Sequence, residues 1–242
     1  MSLALDGPRI PASGGGTSAL VVFLHGYGAD GADLIELGRH WRGLLPAAAF
    51  VSPNAPERCA GAPMGRQWFA LSNRPPDDPT GAEERWNGAV KARGPIDHFL
   101  DKELDRLGLD ESRLALVGFS QGSMMAMHVG LRRRRAPAAI LGYSGLLVGP
   151  ERLNEATARD ARGAPPPILL VHGDQDPLIP VEAMFLAVEA LAKASIPAQW
   201  HLSFGVGHGI DDAGLRHGGL FLAGALSEKR SRATLRGPRL RP

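Results

Sequence analysis

The pentapeptide Gly118-Phe119-Ser120-Gln121-Gly122 follows the apolar run Arg113 to Val117 and opens the helix-like stretch Gly122 to Leu131. A serine between small residues, at a strand-to-helix junction, fits a sharp turn that leaves its Oγ exposed at the carboxyl end of the strand. A hydroxyl is a poor nucleophile near neutral pH, so it needs a base that takes its proton and later returns it to a leaving group. It also needs a carboxylate to fix the tautomer of that base and to stabilise the imidazolium formed during attack. The chemistry would be acyl transfer through a covalent serine intermediate.

Both partners follow in the chain, acid first and histidine second. The apolar run Pro167 to His172 breaks into Gly173-Asp174-Gln175-Asp176-Pro177, a turn that leaves the carboxyl end of a buried strand. Asp174 lies within the tight turn, where Asp commonly bonds neighbouring backbone, whereas Asp176 precedes Pro177 and can project toward the serine. We assign the acid to Asp176 and treat Asp174 as its structural neighbour. The alternating segment Ala198 to Phe204 then leads into Gly205-Val206-Gly207-His208-Gly209, a glycine-flanked histidine on a loop.

The chain has eight histidines. His201 lies inside a strand pattern, His172 ends one, and His217 sits in the last helical pattern, so each has an ordinary structural reading. His25, in Leu24-His25-Gly26-Tyr27-Gly28, is the rival, and its setting better suits an imidazole that props a backbone loop. The order Ser, Asp, His favours His208 as the base. Charge that builds on a carbonyl oxygen requires preorganised donors, and the backbone N–H groups of Tyr27 and Gln121 are the expected pair.

Gly26-Tyr27-Gly28-Ala29-Asp30-Gly31 also spells Gly-x-Gly-x-x-Gly after a strand and before the helical pattern Ala32 to Trp41, which opens a dinucleotide-dependent oxidoreductase as an alternative. The next strand, Ala47 to Val51, would then end in an acid for the ribose hydroxyls. It ends in Ser52-Pro53-Asn54-Ala55-Pro56, which argues against hydride transfer. A non-catalytic binding protein that keeps the elbow is a second alternative, and the complete triad argues against it. A peptidase would need a further domain or a carboxylate cluster for the substrate amine, and neither is apparent.

The elements that must position these residues read as one α/β unit. With 242 residues and 44% hydrophobic content, the chain can bury one large core. Short apolar runs at Ala19 to Leu24, Ala47 to Val51, Arg113 to Val117, Ala138 to Leu141, Pro167 to His172 and Ala198 to Phe204 alternate with helical patterns. That alternation predicts a mainly parallel central sheet with helices on both faces. Pro95 either opens the helix carrying Ile96, Phe99, Leu100, Leu104 and Leu107 or kinks a longer one. Met124, Met125 and Met127 suit packing of the elbow helix on the sheet, with an acyl pocket as the other use.

Residues 52–80 show no periodicity and are rich in Pro and Gly, which predicts a lid or substrate-binding loop. Trp68 and Phe69 lie in it, and they either anchor the loop to the core or face substrate. Residues 229–242 hold six bases and no acids, leaving 21 bases against 25 acids elsewhere, so the net charge of +2 is a property of the tail. We expect a single domain over 1–228 and a basic, disordered tail over 229–242, with no nucleic-acid partner. The four arginines Arg132 to Arg135 complement the C-terminal dipole of the elbow helix.

The lone cysteine, Cys59, excludes an intramolecular disulfide and suits a reducing compartment. The N-terminus lacks a charged start followed by an apolar core, and no stretch is long enough to span a bilayer, so a soluble cytoplasmic protein without stable membrane insertion is expected.

Taken together, Leu24-His25-Gly26-Tyr27-Gly28-Ala29-Asp30-Gly31, Pro53-Asn54-Ala55-Pro56, Trp68-Phe69, Gly118-Phe119-Ser120-Gln121-Gly122, His172-Gly173-Asp174-Gln175-Asp176-Pro177 and Gly207-His208 resemble the phospholipase/carboxylesterase family of α/β-hydrolases, which includes the acyl-protein thioesterases. The resemblance spans about Ala19 to Leu226. It implies the α/β-hydrolase fold and hydrolysis of carboxylic esters or thioesters with small to medium acyl groups, as in carboxylesterases, lysophospholipases and acyl-protein thioesterases. No metal or organic cofactor is implied, and a homodimer is allowed. The motifs map Ser120, Asp176 and His208 onto the triad, Tyr27 and Gln121 onto the oxyanion donors, and Trp68 onto the aromatic of the substrate loop. Ala70 departs from the pattern, which usually has Asp after Trp-Phe.

Overall fold

The computed structural model describes residues 5–59, 62–72, 74–75, 78–157 and 164–234. Nine strands lie among them: β1 (Arg9–Ile10), β2 (Ala19–Leu24), β3 (Ala48–Val51), β4 (Glu57–Cys59), β5 (Ala62–Gln67), β6 (Leu114–Phe119), β7 (Ala139–Tyr143), β8 (Ile168–Gly173) and β9 (Ala198–Ser203). Six α-helices accompany them: α1 (Gly31–Trp41), α2 (Pro79–Leu107), α3 (Gln121–Gly130), α4 (Leu153–Thr157), α5 (Glu182–Lys193) and α6 (Asp212–Thr234).

Seven strands form one sheet in the order β1-β3-β2-β6-β7-β8-β9, parallel throughout except for the short β1. Continuous apolar runs are what strands buried on both faces require, and β2 shows why. Leu20, Val22 and Leu24 face a core shared with α2, α3 and α5, while Ala19, Val21 and Phe23 face a second core shared with α1 and α6. Because the central strands run parallel, their carboxyl ends share one edge, and every loop that carries a candidate residue leaves from there.

Two expectations change, and one open alternative closes. The aperiodic stretch 52–80 contains a β-hairpin, β4 with β5, whose register shifts between Arg58 and Cys59. Pro63 and Gly65 interrupt the alternation that would have marked it. Of the two readings left open for Pro95, the structure has the longer helix: Pro95 lies inside one 29-residue helix that starts at Asp78-Pro79, where the Asp78 carboxylate accepts the Gly81 N–H at 2.7 Å. The expected break after residue 228 is not an element boundary, since α6 continues to Thr234; residues 235–242 lie outside the described residues.

The arginines after α3 do more than face its dipole. Arg133 is buried and pairs with Asp97 and Asp101 of α2 at 3.1 and 2.5 Å, clamping the two helices together. Met124, Met125 and Met127 are all buried in the core beneath the sheet face.

Candidate active site

Ser120 is the turn between β6 and α3, and its backbone sits at φ 54°, ψ −117°, a conformation that non-glycine residues rarely adopt. Packing enforces it. A Cβ on Gly118 would collide with the Gly122 carbonyl oxygen, and one on Gly122 would collide with that of Leu24, so neither position accepts a side chain. The Ser120 N–H is held by the Tyr143 carbonyl at 2.9 Å. A serine strained in this way presents its hydroxyl outward at the start of a helix.

The acid and the histidine meet from neighbouring loops. His208 Nδ1 lies 2.7 Å from Asp176 Oδ2, while Asp176 Oδ1 accepts the N–H groups of Leu178 and Ile179 at 2.9 and 3.0 Å. Burial alone would raise the Asp176 carboxyl, but the Ile179 N–H, the His208 ring and the Leu178 N–H outweigh it and hold the group below its usual value. Asp176 is therefore ionised at neutral pH and can only accept, so the proton of neutral His208 resides on Nδ1 and Nε2 is left bare. Asp174 plays a different part: its Oδ1 accepts the Gly205 N–H at 2.6 Å, which ties the acid loop to the histidine loop. The His208 ring rests on the Phe119 ring, centroids 4.9 Å apart.

On the other side of the serine runs the loop after β2. A Cβ on Gly26 would come within 3.4 Å of the Ser120 Cβ, which sets the adjoining Tyr27 beside the elbow. Among the described residues, the backbone N–H groups of Tyr27 and Gln121 have no backbone acceptor. His25 cannot serve as a rival base. It is fully buried, Ala55 N–H donates to its Nε2 at 3.0 Å, and its Nδ1 therefore carries the proton that goes to the Gly26 carbonyl at 2.8 Å. Burial pushes its pKa down, against the Gly26 bond.

Trp68 and Phe69 are placed differently from a substrate contact. Both side chains are in the core, at 1% and 3% exposure, and the Trp68 indole N–H donates to the His25 carbonyl at 2.9 Å. They anchor the hairpin, because an indole with a satisfied N–H gains more from burial than from solvent. The side chain of Gln121 joins the same anchor: Oε1 accepts the Trp68 N–H at 3.0 Å and Nε2 donates to the Phe69 carbonyl at 2.7 Å.

Three contributions escaped sequence reasoning. The amide of Gln121 is one. Ser144, at φ 44°, donates its hydroxyl to the Gly209 carbonyl at 3.3 Å and so holds the histidine loop, with no local sequence signal. His172 is buried, and its Nε2 stands 3.3 Å from Asp176 Oδ2; its signal was the four-residue spacing to the acid. An apolar groove of about 670 Å³ opens between the start of α2, the loop after β7 and the start of α5, lined by Pro79, Leu146, Leu147, Pro180, Ala183 and Leu186 among others. One of its lining residues, Leu146, adjoins Gly145, where a Cβ would lie 3.1 Å from the Ser120 carbonyl oxygen; Ser120 and His208 do not themselves line the groove. Among the described residues no group of three His, Cys, Asp or Glu side chains is placed to hold a metal ion.

A seven-stranded, mostly parallel sheet with helices on both faces, a strained serine elbow and an Asp–His pair on the later loops define an α/β-hydrolase. The chain belongs to the phospholipase/carboxylesterase family, whose profile matches residues 5–223. It is 27% identical over 197 residues to an acyl-protein thioesterase 1 of Gibberella zeae, covering 79% of this chain and 83% of that one. It is 26% identical over 198 residues to the esterase YpfH of Escherichia coli, covering 81% and 78%. Among solved structures, esterase PE8 superimposes with a TM-score of 0.85 at 42% identity over 93% of this chain and all of that one. An acyl-protein thioesterase 2 of Zea mays, at 20% identity and TM-score 0.68 over 90% and 98%, shares the fold. The protein is a serine hydrolase of carboxylic esters or thioesters.

Proposed function

We propose that hydrolysis proceeds through an acyl-enzyme on Ser120, with His208 as general base and acid, Asp176 as its orienting carboxylate, and the backbone N–H groups of Tyr27 and Gln121 as oxyanion donors. The observation that carries this reading is the 2.7 Å contact of His208 Nδ1 with Asp176 Oδ2, which leaves Nε2 free to act. Ser120 Oγ bonds to the acyl carbon as its proton passes to Nε2, and the carbonyl oxygen becomes an oxyanion. Collapse breaks the bond to the alkoxy or thiolate group, which leaves with the proton from Nε2. Water repeats both steps, releasing the acid and restoring the serine.

An apolar acyl group of small to medium length is supported by the groove that Leu146 and Leu147 help to line, its volume falling within the usual range for small-molecule sites. Trp68 and Phe69 then act on substrate only by holding the hairpin. A reducing, cytoplasmic setting is supported by the lone, buried Cys59, and no helix among the described residues is long and apolar enough to cross a membrane. A homodimer is supported at β9, an edge strand without charged residues or proline that carries exposed Trp200, against which exposed Phe185 packs. Sedimentation of wild type and Trp200→Glu tests that pairing: a monomer in both removes it.

The test of the chemistry is covalent. A fluorophosphonate should add once, to the peptide spanning Gly118 to Gly122, and Ser120→Ala should lose both that adduct and turnover of p-nitrophenyl esters. Undiminished labelling in the variant would overturn the assignment. A labelled but inert wild type would favour a binding protein on the same fold.

A further inference from the structure

We propose that His172 is a positioning residue for the acid, gripping the Asp176 carboxylate and its loop from the end of β8. The inference rests on the triad assigned above. His172 is buried at 2% exposure, and its Nε2 lies 2.8 Å from the Ile179 carbonyl oxygen and 3.3 Å from Asp176 Oδ2. Both neighbours are acceptors, one of them an ionised carboxylate, so Nε2 carries the proton. The bond goes to Ile179, and Oδ2 lies 3.3 Å from the same nitrogen, within reach of its positive charge density.

Ile179 is gripped twice. Its carbonyl receives the His172 proton, and its own N–H donates to Asp176 Oδ1 at 3.0 Å. Leu178 N–H completes the turn at 2.9 Å. The residues from 176 to 179 thus form a small closed loop that the His172 imidazole anchors from the sheet side. That anchor is rooted in the sheet, since His172 pairs with Leu202 and Gly173 with Ser203 across β8 and β9. Asp176 itself follows the strand and has no ladder to hold it.

The arrangement answers a geometric need. Oδ2 is the oxygen that meets His208, so rotation of the carboxylate would break the 2.7 Å contact on which the tautomer depends. Two backbone donors hold Oδ1, but both belong to the same short turn and would swing with it. The Ile179 side chain packs into the core, but the side-chain hydrogen bond that ties the turn to a strand, among the described residues, comes from His172.

The experiment is a double-mutant cycle on a soluble short-chain p-nitrophenyl ester, with wild type, His172→Leu, His172→Gln, Asp176→Asn and the pair His172→Leu with Asp176→Asn. His172→Leu should lower kcat about 10- to 100-fold while KM stays within about twofold. His172→Gln, whose amide nitrogen can take the place of Nε2, should recover to within about threefold of wild type. In the Asp176→Asn background, removal of His172 should cost less than about threefold, because the group it positions is already disabled. The Nδ1 proton resonance of His208 should be retained in His172→Gln and broadened or lost in His172→Leu.

Equal losses from His172→Leu in both backgrounds, or Gln no better than Leu, would overturn the proposal in favour of a purely structural histidine. If His172→Leu does not fold, His172→Asn replaces it in the same cycle, being polar but too short to reach Ile179. Activity near the wild-type level in Ser120→Ala or Asp176→Asn would instead remove the triad itself, whereas two strongly impaired triad variants beside an unchanged His172→Leu would remove this inference alone.

Discussion

Gln121 reaches across to Phe69, its Nε2 donating to the Phe69 carbonyl at 2.7 Å while its Oε1 accepts the neighbouring Trp68 N–H. The amide acts as a short piece of backbone, pairing the elbow with the two residues that follow the hairpin strand β5. That strand also holds the loop after β2, since Gly28 N–H donates to the Arg66 carbonyl and Arg66 N–H to that of Ala29, both at 2.9 Å. The two proposed oxyanion donors are therefore tied to one segment, Arg66 to Phe69.

Gln121→Leu should destabilise the fold and slow the chemistry together. It leaves a buried N–H and a buried carbonyl without partners, at about 1 to 3 kcal/mol each. Misalignment of its own N–H should lower kcat by up to about 10²- to 10³-fold. Thermal unfolding and steady-state kinetics on the same sample check both. A normal melting temperature would show that the clasp is replaceable.

Asp176→Asn and Asp174→Asn should separate cleanly. The first replaces one accepting oxygen by a donor and permits the wrong tautomer of His208, so kcat should fall by about 10³- to 10⁴-fold with the fold retained. In the second, the new carboxamide still offers an oxygen to the Gly205 N–H, so kcat should stay within about threefold. The reverse pattern would exchange their roles.

His128 makes stability fall in acid. It is buried against Trp86, both ring nitrogens lack partners among the described residues, and burial, then Arg132 and Arg93, push its pKa down to about 3. The unfolded chain takes up this proton below about pH 6.5, while the folded chain resists until about pH 3. The contribution is therefore complete above pH 6.5 and is lost as pH falls toward 3. Melting temperature should decline less steeply across that window in His128→Leu than in wild type; parallel curves would exclude the residue as a cause.

Removal of residues 229–242 should leave catalysis intact. Its six bases take the net charge from +2 to −4, and α6 is tied ahead of this segment by Arg113, whose Nη1 donates to the Leu226 carbonyl at 2.9 Å. A chain ending at Glu228 should keep kcat/KM on a soluble ester within about twofold, and bind polyanions less at about 0.1 M salt. Lost activity would place the tail inside the folded unit.

How much was legible depends on whether a feature is local. Five strands of the sheet were readable because burial on both faces demands unbroken apolar runs, as in Leu114 to Val117, and the edge strand β9 was readable by its alternation. β1 has two residues and the hairpin strands carry Arg58, Pro63, Gly65 and Arg66, so neither leaves a periodic trace. The elbow was readable because its glycines answer to steric limits within a few residues.

Written into the chain itself are the order of serine, acid and histidine, the parallel sheet that carries their loops to one edge, and the small residues that let Ser120 turn. Folding in three dimensions was needed to turn Trp68 inward to His25, to let Gln121 clasp Phe69 52 residues away, and to stand His172 behind Asp176. The physical reason is that a hydrogen bond between distant residues depends on strand order and loop path, which no window of neighbouring residues encodes. Asp174 and Asp176 are alike in type and two positions apart, and only the fold turns one to Gly205 and the other to His208.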